Sequence, residues 1–172
     1  MTYTWHDVDG RMAEICDQCG FDAREIRGNA DEAARLDAAY AALERSLDHP
    51  DAARRPAPET WSAREYVDHC VEVGDVMLGW VADLARGDAP GTTPTGTLTD
   101  LAALRAAVRE VVPGLTDEQR GRLLVGEYRQ DVPVEWLLRH LLHDTEHHVL
   151  DVRCGHAAIA RADLPEVSFR QR

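Results

Sequence analysis

Apolar residues recur at helical intervals in four stretches of the chain. Over residues 31–47, Leu36, Tyr40, Leu43 and Leu47 share a face, and Asn29 stands where an N-terminal cap belongs. The Pro- and Asp-rich residues 48–58 end this segment. Over residues 62–87, Val67, Val71, Gly74, Leu78, Val81 and Leu84 form one stripe, opened by the capping-box pair Ser62 and Glu65 and stopped at Gly87. Over residues 100–112, Leu101, Leu104, Val108 and Val111 align, and Pro113-Gly114 closes the helix. Residues 116–124 predict one further short turn, capped by Thr116 and Gln119. Pro133 suits a first helical turn, and the segment after it can stay helical to about residue 160. The longest linker, GDAPGTTPTGT, separates the second and third helices. With no convincing period-two run, the pattern predicts an all-α helical bundle. Residues 1–29 read as an N-terminal extension, 30–160 as the bundle and 161–172 as a weakly patterned tail.

Composition adds little to the fold but narrows the partners. A chain of 172 residues with 44% hydrophobic and 29% charged residues suits one domain with a substantial core. The formal charge of -12 opposes a phosphate backbone, so no nucleic-acid partner is expected. All 19 basic residues are arginine, which together with heavy Ala, Asp and Glu usage points to a GC-rich genome. No apolar run approaches the ~18 residues of a membrane span, and MTYTWHDVDG lacks the layout of a signal peptide. These features predict a cytoplasmic protein with no membrane partner. Cys16, Cys19, Cys70 and Cys154 are then reduced, and available for metal or thiol chemistry.

Five of the eight histidines lie in HLLHDTEHHVLDVRCGH, residues 140–156. At about 100° per residue, His140, His143, His147 and Asp151 share one helix face. His143 and His147, at i and i+4, can converge on one ion, whereas His140 and His147 stand about 10.5 Å apart along the axis. A catalytic ion usually takes three protein ligands and an open position, so a third donor must come from another helix. His69, beside the apolar stripe of the second helix, is the best candidate, with Cys70 competing. Geometry alone leaves two readings open: an ion site of His69, His143 and His147, or histidines that are merely solvated or hydrogen-bonded. His140, Asp144 and Asp151 are candidates to orient ligands from behind. His148 and His156 are read as surface or supporting residues.

At these residues the chain resembles the DinB/YfiT-like superfamily, which includes the metal-binding domain of mycothiol-dependent maleylpyruvate isomerase. The matching pieces are Trp61-Ser62-Ala63-Arg64-Glu65 followed by His69, and His143-Asp144-Thr145-Glu146-His147-His148. With helix order and length, the resemblance covers roughly residues 30–160. It implies a four-helix bundle with an up-down-down-up course, with GDAPGTTPTGT as its crossover. It also implies a divalent ion, zinc first and nickel, iron or manganese as alternatives, on His69, His143 and His147. Several members use a low-molecular-weight thiol and many pair into dimers, for which Trp80 and Trp136 are the candidate contacts.

ICDQCGFD departs from the simpler family pattern. Cys16 and Cys19 have the spacing of two thiolates on one ion, to be completed by His6, Cys154 or His156. The same spacing suits a redox pair, or two small apolar residues that only pack. A bound thiol is activated at an ion held by three imidazoles, and a bound water would be activated for hydrolysis. No HExxH motif supplies a general base. The leading expectation is therefore a metal-dependent S-transferase joining mycothiol or a similar thiol to an electrophilic small molecule. A hydrolase on the same triad, and a metal-binding or redox-sensing protein without catalysis, are the alternatives.

Overall fold

The computed structural model describes residues 4–8, 11–128 and 130–165. An antiparallel hairpin, β1 (Thr4–Val8) and β2 (Arg11–Ile15), leads through the Cys16–Cys19 turn into α1 (Asn29–Ser46). Next come α2 (Ala63–Arg86), α3 (Leu101–Val111) and the single-turn α4 (Asp117–Arg120). The two-residue strands β3 (Leu123–Leu124) and β4 (Val132–Pro133) pair before α5 (Val134–Ala162). The chain is mostly helical, with α5 packed on α1 and α2, and α3 packed on the same two helices. No helix among the described residues is long and apolar enough to cross a membrane.

The core follows the apolar stripes. Leu36, Tyr40 and Leu43 of α1, Leu78 and Val81 of α2, Leu104 and Val108 of α3, and Leu137, Leu138, Leu141 and Leu142 of α5 are buried. Each such side chain contributes about 1.5–3 kcal/mol by leaving water. Gly74 lets three helices meet: a Cβ there would lie 2.8 Å from Leu104 Cδ2 and 2.9 Å from the Tyr40 hydroxyl.

Both expected capping boxes form, at Ser62/Glu65 and Thr116/Gln119. Asn29 does not cap. Gly28 takes the cap position, and the Asn29 amide donates to Leu115 O (2.6 Å) while its oxygen accepts from Arg120, which also pairs with buried Glu32 at 2.7 Å. The linker is tied to α2. Asp83 accepts the backbone N–H groups of Gly91, Thr92 and Thr93 at 3.0, 3.0 and 3.1 Å, and Asp75 accepts those of Gly96 and Leu98. Burial works against the Asp83 charge, but these donors hold its carboxyl down at about 2.

The hairpin corrects the expectation of a chain without strands. Its alternation is hidden because the position β2 turns into the interior is a carboxylate, Glu14, rather than an apolar residue. Trp136 is buried against His140, with rings stacked 4.6 Å apart, and Trp80 is half-buried, so Trp136 is not an exposed contact. Residues 166–172 of the expected tail lie outside the described residues.

Candidate metal centre

The helical spacing of α5 delivers donors in two overlapping i, i+4 pairs. Asp144 and His148 turn toward α2 and meet His69, while His143 and His147 turn toward the N-terminal segment and meet Cys16 and Cys19. In each group the ligand atoms lie within 4.8 Å of one another. The three histidines expected from the resemblance are therefore divided: His69 stands in one cluster, and His143 with His147 in the other.

In the first cluster His69 Nε2 lies 4.0 Å from Asp144 Oδ2, and His148 Nε2 lies 3.5 Å from Asp144 Oδ1. His148 is buried, and its Nδ1–H donates to Asp151 Oδ2 at 3.0 Å. That bond leaves Nε2 facing a carboxylate without a hydrogen bond among the described residues. A buried ring nitrogen opposite an anionic oxygen calls for a positive charge between them, from a proton or from a bound cation. Nitrogen and oxygen ligands bound at about 2.0–2.1 Å around one tetrahedral ion stand about 3.3 Å apart, so the residues fit a divalent ion. Aromatic rings frame the cluster. Trp61 packs 5.2 Å from His69, Tyr66 5.0 Å from His148, and the His69 and His148 rings meet edge to face at 5.1 Å.

Two clefts open on it. One, of about 400 Å³, is lined by Gln18, Glu59, Trp61, Tyr66, His147, His148 and Asp151. The other, of about 500 Å³, has His69, Trp80, Tyr128, His140 and Asp144 in its wall.

The second cluster is built on the turn after β2. Cys16 N–H donates to Phe21 O (2.8 Å) and Gly20 N–H to Cys16 O (2.9 Å), with Gly20 in the left-handed region at φ 77°. Cys16 Sγ lies 3.6 Å from His147 Nδ1, with ligand atoms of Cys19 and His143 within 4.8 Å. Burial opposes the Cys16 thiolate, but the polar surroundings supplied by the Gln18–Cys19 backbone and His143 draw its pKa down to about 6; burial and the neighbouring Cys16 push Cys19 up to about 11. Glu14, 1% exposed, is ion-paired with His143, Oε1 lying 2.8 Å from Nδ1, and accepts from His140 Nδ1 at 3.1 Å. Burial opposes the charges of Glu14 and His143 alike, yet their pairing lowers the carboxyl and raises the imidazole.

The remaining candidates lie elsewhere. Cys70 is buried in the core, where burial pushes its thiol up, and Cys154 is exposed. His156 stacks on His49 at 4.0 Å, and His6 is exposed on β1. None of the four joins either cluster. His140 is held by Glu14 and Trp136, and Asp151 stands behind His148. Glu14 was not legible as a site residue, since nothing in its local sequence sets it apart. Asp144 and His148 carry the same i, i+4 signal as His143 and His147, offset by one position.

Helices that bring a histidine of α2 against a carboxylate and a histidine of α5 define a bundle with a group of side chains that could hold a metal ion. The family model of the DinB superfamily matches residues 32–152, and the chain belongs to that superfamily. No curated protein and no solved structure matches it.

Proposed function

We propose that the protein is a metal-dependent S-transferase that joins mycothiol or a similar low-molecular-weight thiol to an electrophilic small molecule, with a divalent ion, zinc foremost, on His69, Asp144 and His148. The observation that carries this reading is the buried His148 Nε2, without a hydrogen bond among the described residues and 3.5 Å from Asp144 Oδ1, while Nδ1 is committed to Asp151. When bound, the ion supplies a positive charge that stabilises a thiolate at neutral pH. Two imidazoles and one carboxylate leave room for an exogenous ligand, and the Trp61–Tyr66 wall offers an apolar, aromatic surface to the electrophile. Asp151 keeps His148 in its binding tautomer throughout. In the transfer, the thiol loses its proton, the sulfur attacks the electrophilic carbon, and a C–S bond forms as the leaving group departs with its electron pair. The order and packing of the helices support an up-down-down-up course, with residues 87–97 as the crossover.

The test is incubation of the zinc-loaded protein with a panel of thiols and monochlorobimane, with conjugates and released chloride followed by mass and ion detection. Conjugation accelerated by the protein and abolished in His148→Ala is expected. Conjugates that form equally fast without protein, or with His148→Ala, overturn the proposal.

A further inference from the structure

The second cluster lies outside the set of residues assigned above, and half of its donors precede the region matched by the family. We infer that Cys16, Cys19, His143 and His147 form a second, closed site for a zinc-type ion, which fastens the N-terminal segment to α5 and sets the wall of the cleft beside His148.

Three observations carry it. The first is donor chemistry: two sulfurs and two imidazoles within 4.8 Å of one another make the Cys₂His₂ set that holds zinc in four-coordinate structural sites. The second is spacing. Sulfur bound at about 2.3 Å and nitrogen at about 2.0 Å around one tetrahedral ion stand about 3.5 Å apart, and Cys16 Sγ lies 3.6 Å from His147 Nδ1. The third is the surroundings. The turn that carries both sulfurs is pinned by Cys16 N–H to Phe21 O at 2.8 Å and Gly20 N–H to Cys16 O at 2.9 Å. Glu14, held also by His140, pairs with His143, its Oε1 lying 2.8 Å from the His143 Nδ1. A carboxylate behind a ligating imidazole is the usual support of such a site.

Four protein donors fill a tetrahedral ion and argue against an open catalytic position. Cys16, His143 and His147 are 3%, 1% and 6% exposed and Cys19 is half-buried, with His147 also lining the cleft. Its consequence is positional. Gln18, inside the Cys-x-x-Cys turn, lines the same cleft as Trp61, Tyr66 and His148, so an ion on the turn fixes that wall.

Cobalt substitution of the full chain under reducing conditions tests this, because thiolate ligation gives sulfur-to-cobalt charge-transfer absorption that an all-nitrogen and oxygen site cannot give. Expected are charge-transfer bands, and visible bands of tetrahedral cobalt that rise with them, saturating at one equivalent of cobalt on the cysteines whatever the His69 cluster also takes up. Cys19→Ser should lose or strongly weaken them, Cys19→His should retain the visible bands with reduced charge transfer, and His69→Ala should leave them intact. Cobalt uptake without charge transfer, bands unchanged in Cys19→Ser, or a Cys16–Cys19 disulfide found by mass in protein purified without reductant and indifferent to added zinc would overturn it. The bands do not depend on His69 or on conjugation activity, so this site and the proposed transferase can fail separately.

Discussion

His147 and His148 are neighbours in sequence yet serve different clusters, with ring centroids 6.3 Å apart and planes nearly perpendicular at 87°. Asp151 stands behind both. Its Oδ2 accepts from His148 Nδ1 at 3.0 Å, and its Oδ1 lies 3.9 Å from His147 Nε2. Asp151→Ala is therefore expected to weaken ion binding at His69, Asp144 and His148 by about 10–100-fold. The effect at the cysteine cluster should be smaller, since 3.9 Å is beyond a hydrogen bond. Competition titrations against a chromophoric chelator in Cys19→Ser and His69→Ala backgrounds separate the two. Equal losses at both sites would contradict the assignment.

Glu14 acts on the other cluster. Glu14→Gln removes the anion that His143 and His140 share, so the ion held with Cys16 and Cys19 should bind about 10–100-fold more weakly. Affinity at the His69 cluster should not change. Unaltered cobalt affinity at the cysteine site would remove Glu14 from its support.

Asp83 gives a pH-dependent signature away from both clusters. Its carboxyl is held at about 2, against an ordinary value near 3.8, so its contribution is complete above the unfolded value and is lost as pH falls toward about 2. Asp83→Asn should lower stability by roughly 2–3 kcal/mol at pH 7. Denaturant midpoints of the two proteins should converge between about pH 4 and pH 2. A gap independent of pH would mean that charge at Asp83 is not what ties down the linker.

Asn29 separates a cap from a bridge. Serine keeps capping chemistry but cannot span from α1 to Leu115 O and Arg120. Asn29→Ser is expected to cost about 1–3 kcal/mol in chemical denaturation, because it leaves buried polar groups short of a partner. A neutral result would favour the capping role.

The apolar stripes made the helices legible, since Leu36, Leu78, Leu104 and Val108 are where a 3.6-residue period requires a core. Site partners were harder to read. Residues 143, 144, 147 and 148 contain two i, i+4 pairs, and the periodicity of one helix cannot say which pair faces α2. That choice depends on how α5 is rotated against its neighbours, a tertiary quantity. Cys16 and Cys19 announced a pair of donors, but their partners lie about 130 positions away, and Cys16 meets His147 at a separation of 131 residues. The strand at residues 11–15 hid because its buried position is a charge neutralised by distant histidines.

The hairpin and its turn precede residue 32, where the family match begins. An expression boundary drawn at that residue would preserve every long helix except the opening of α1, yet it would strip Glu14, Cys16 and Cys19 from the imidazoles they face. Two histidines inside α5 would then be left facing water, and grafting the bundle without its hairpin would keep one of the two donor clusters and break the other.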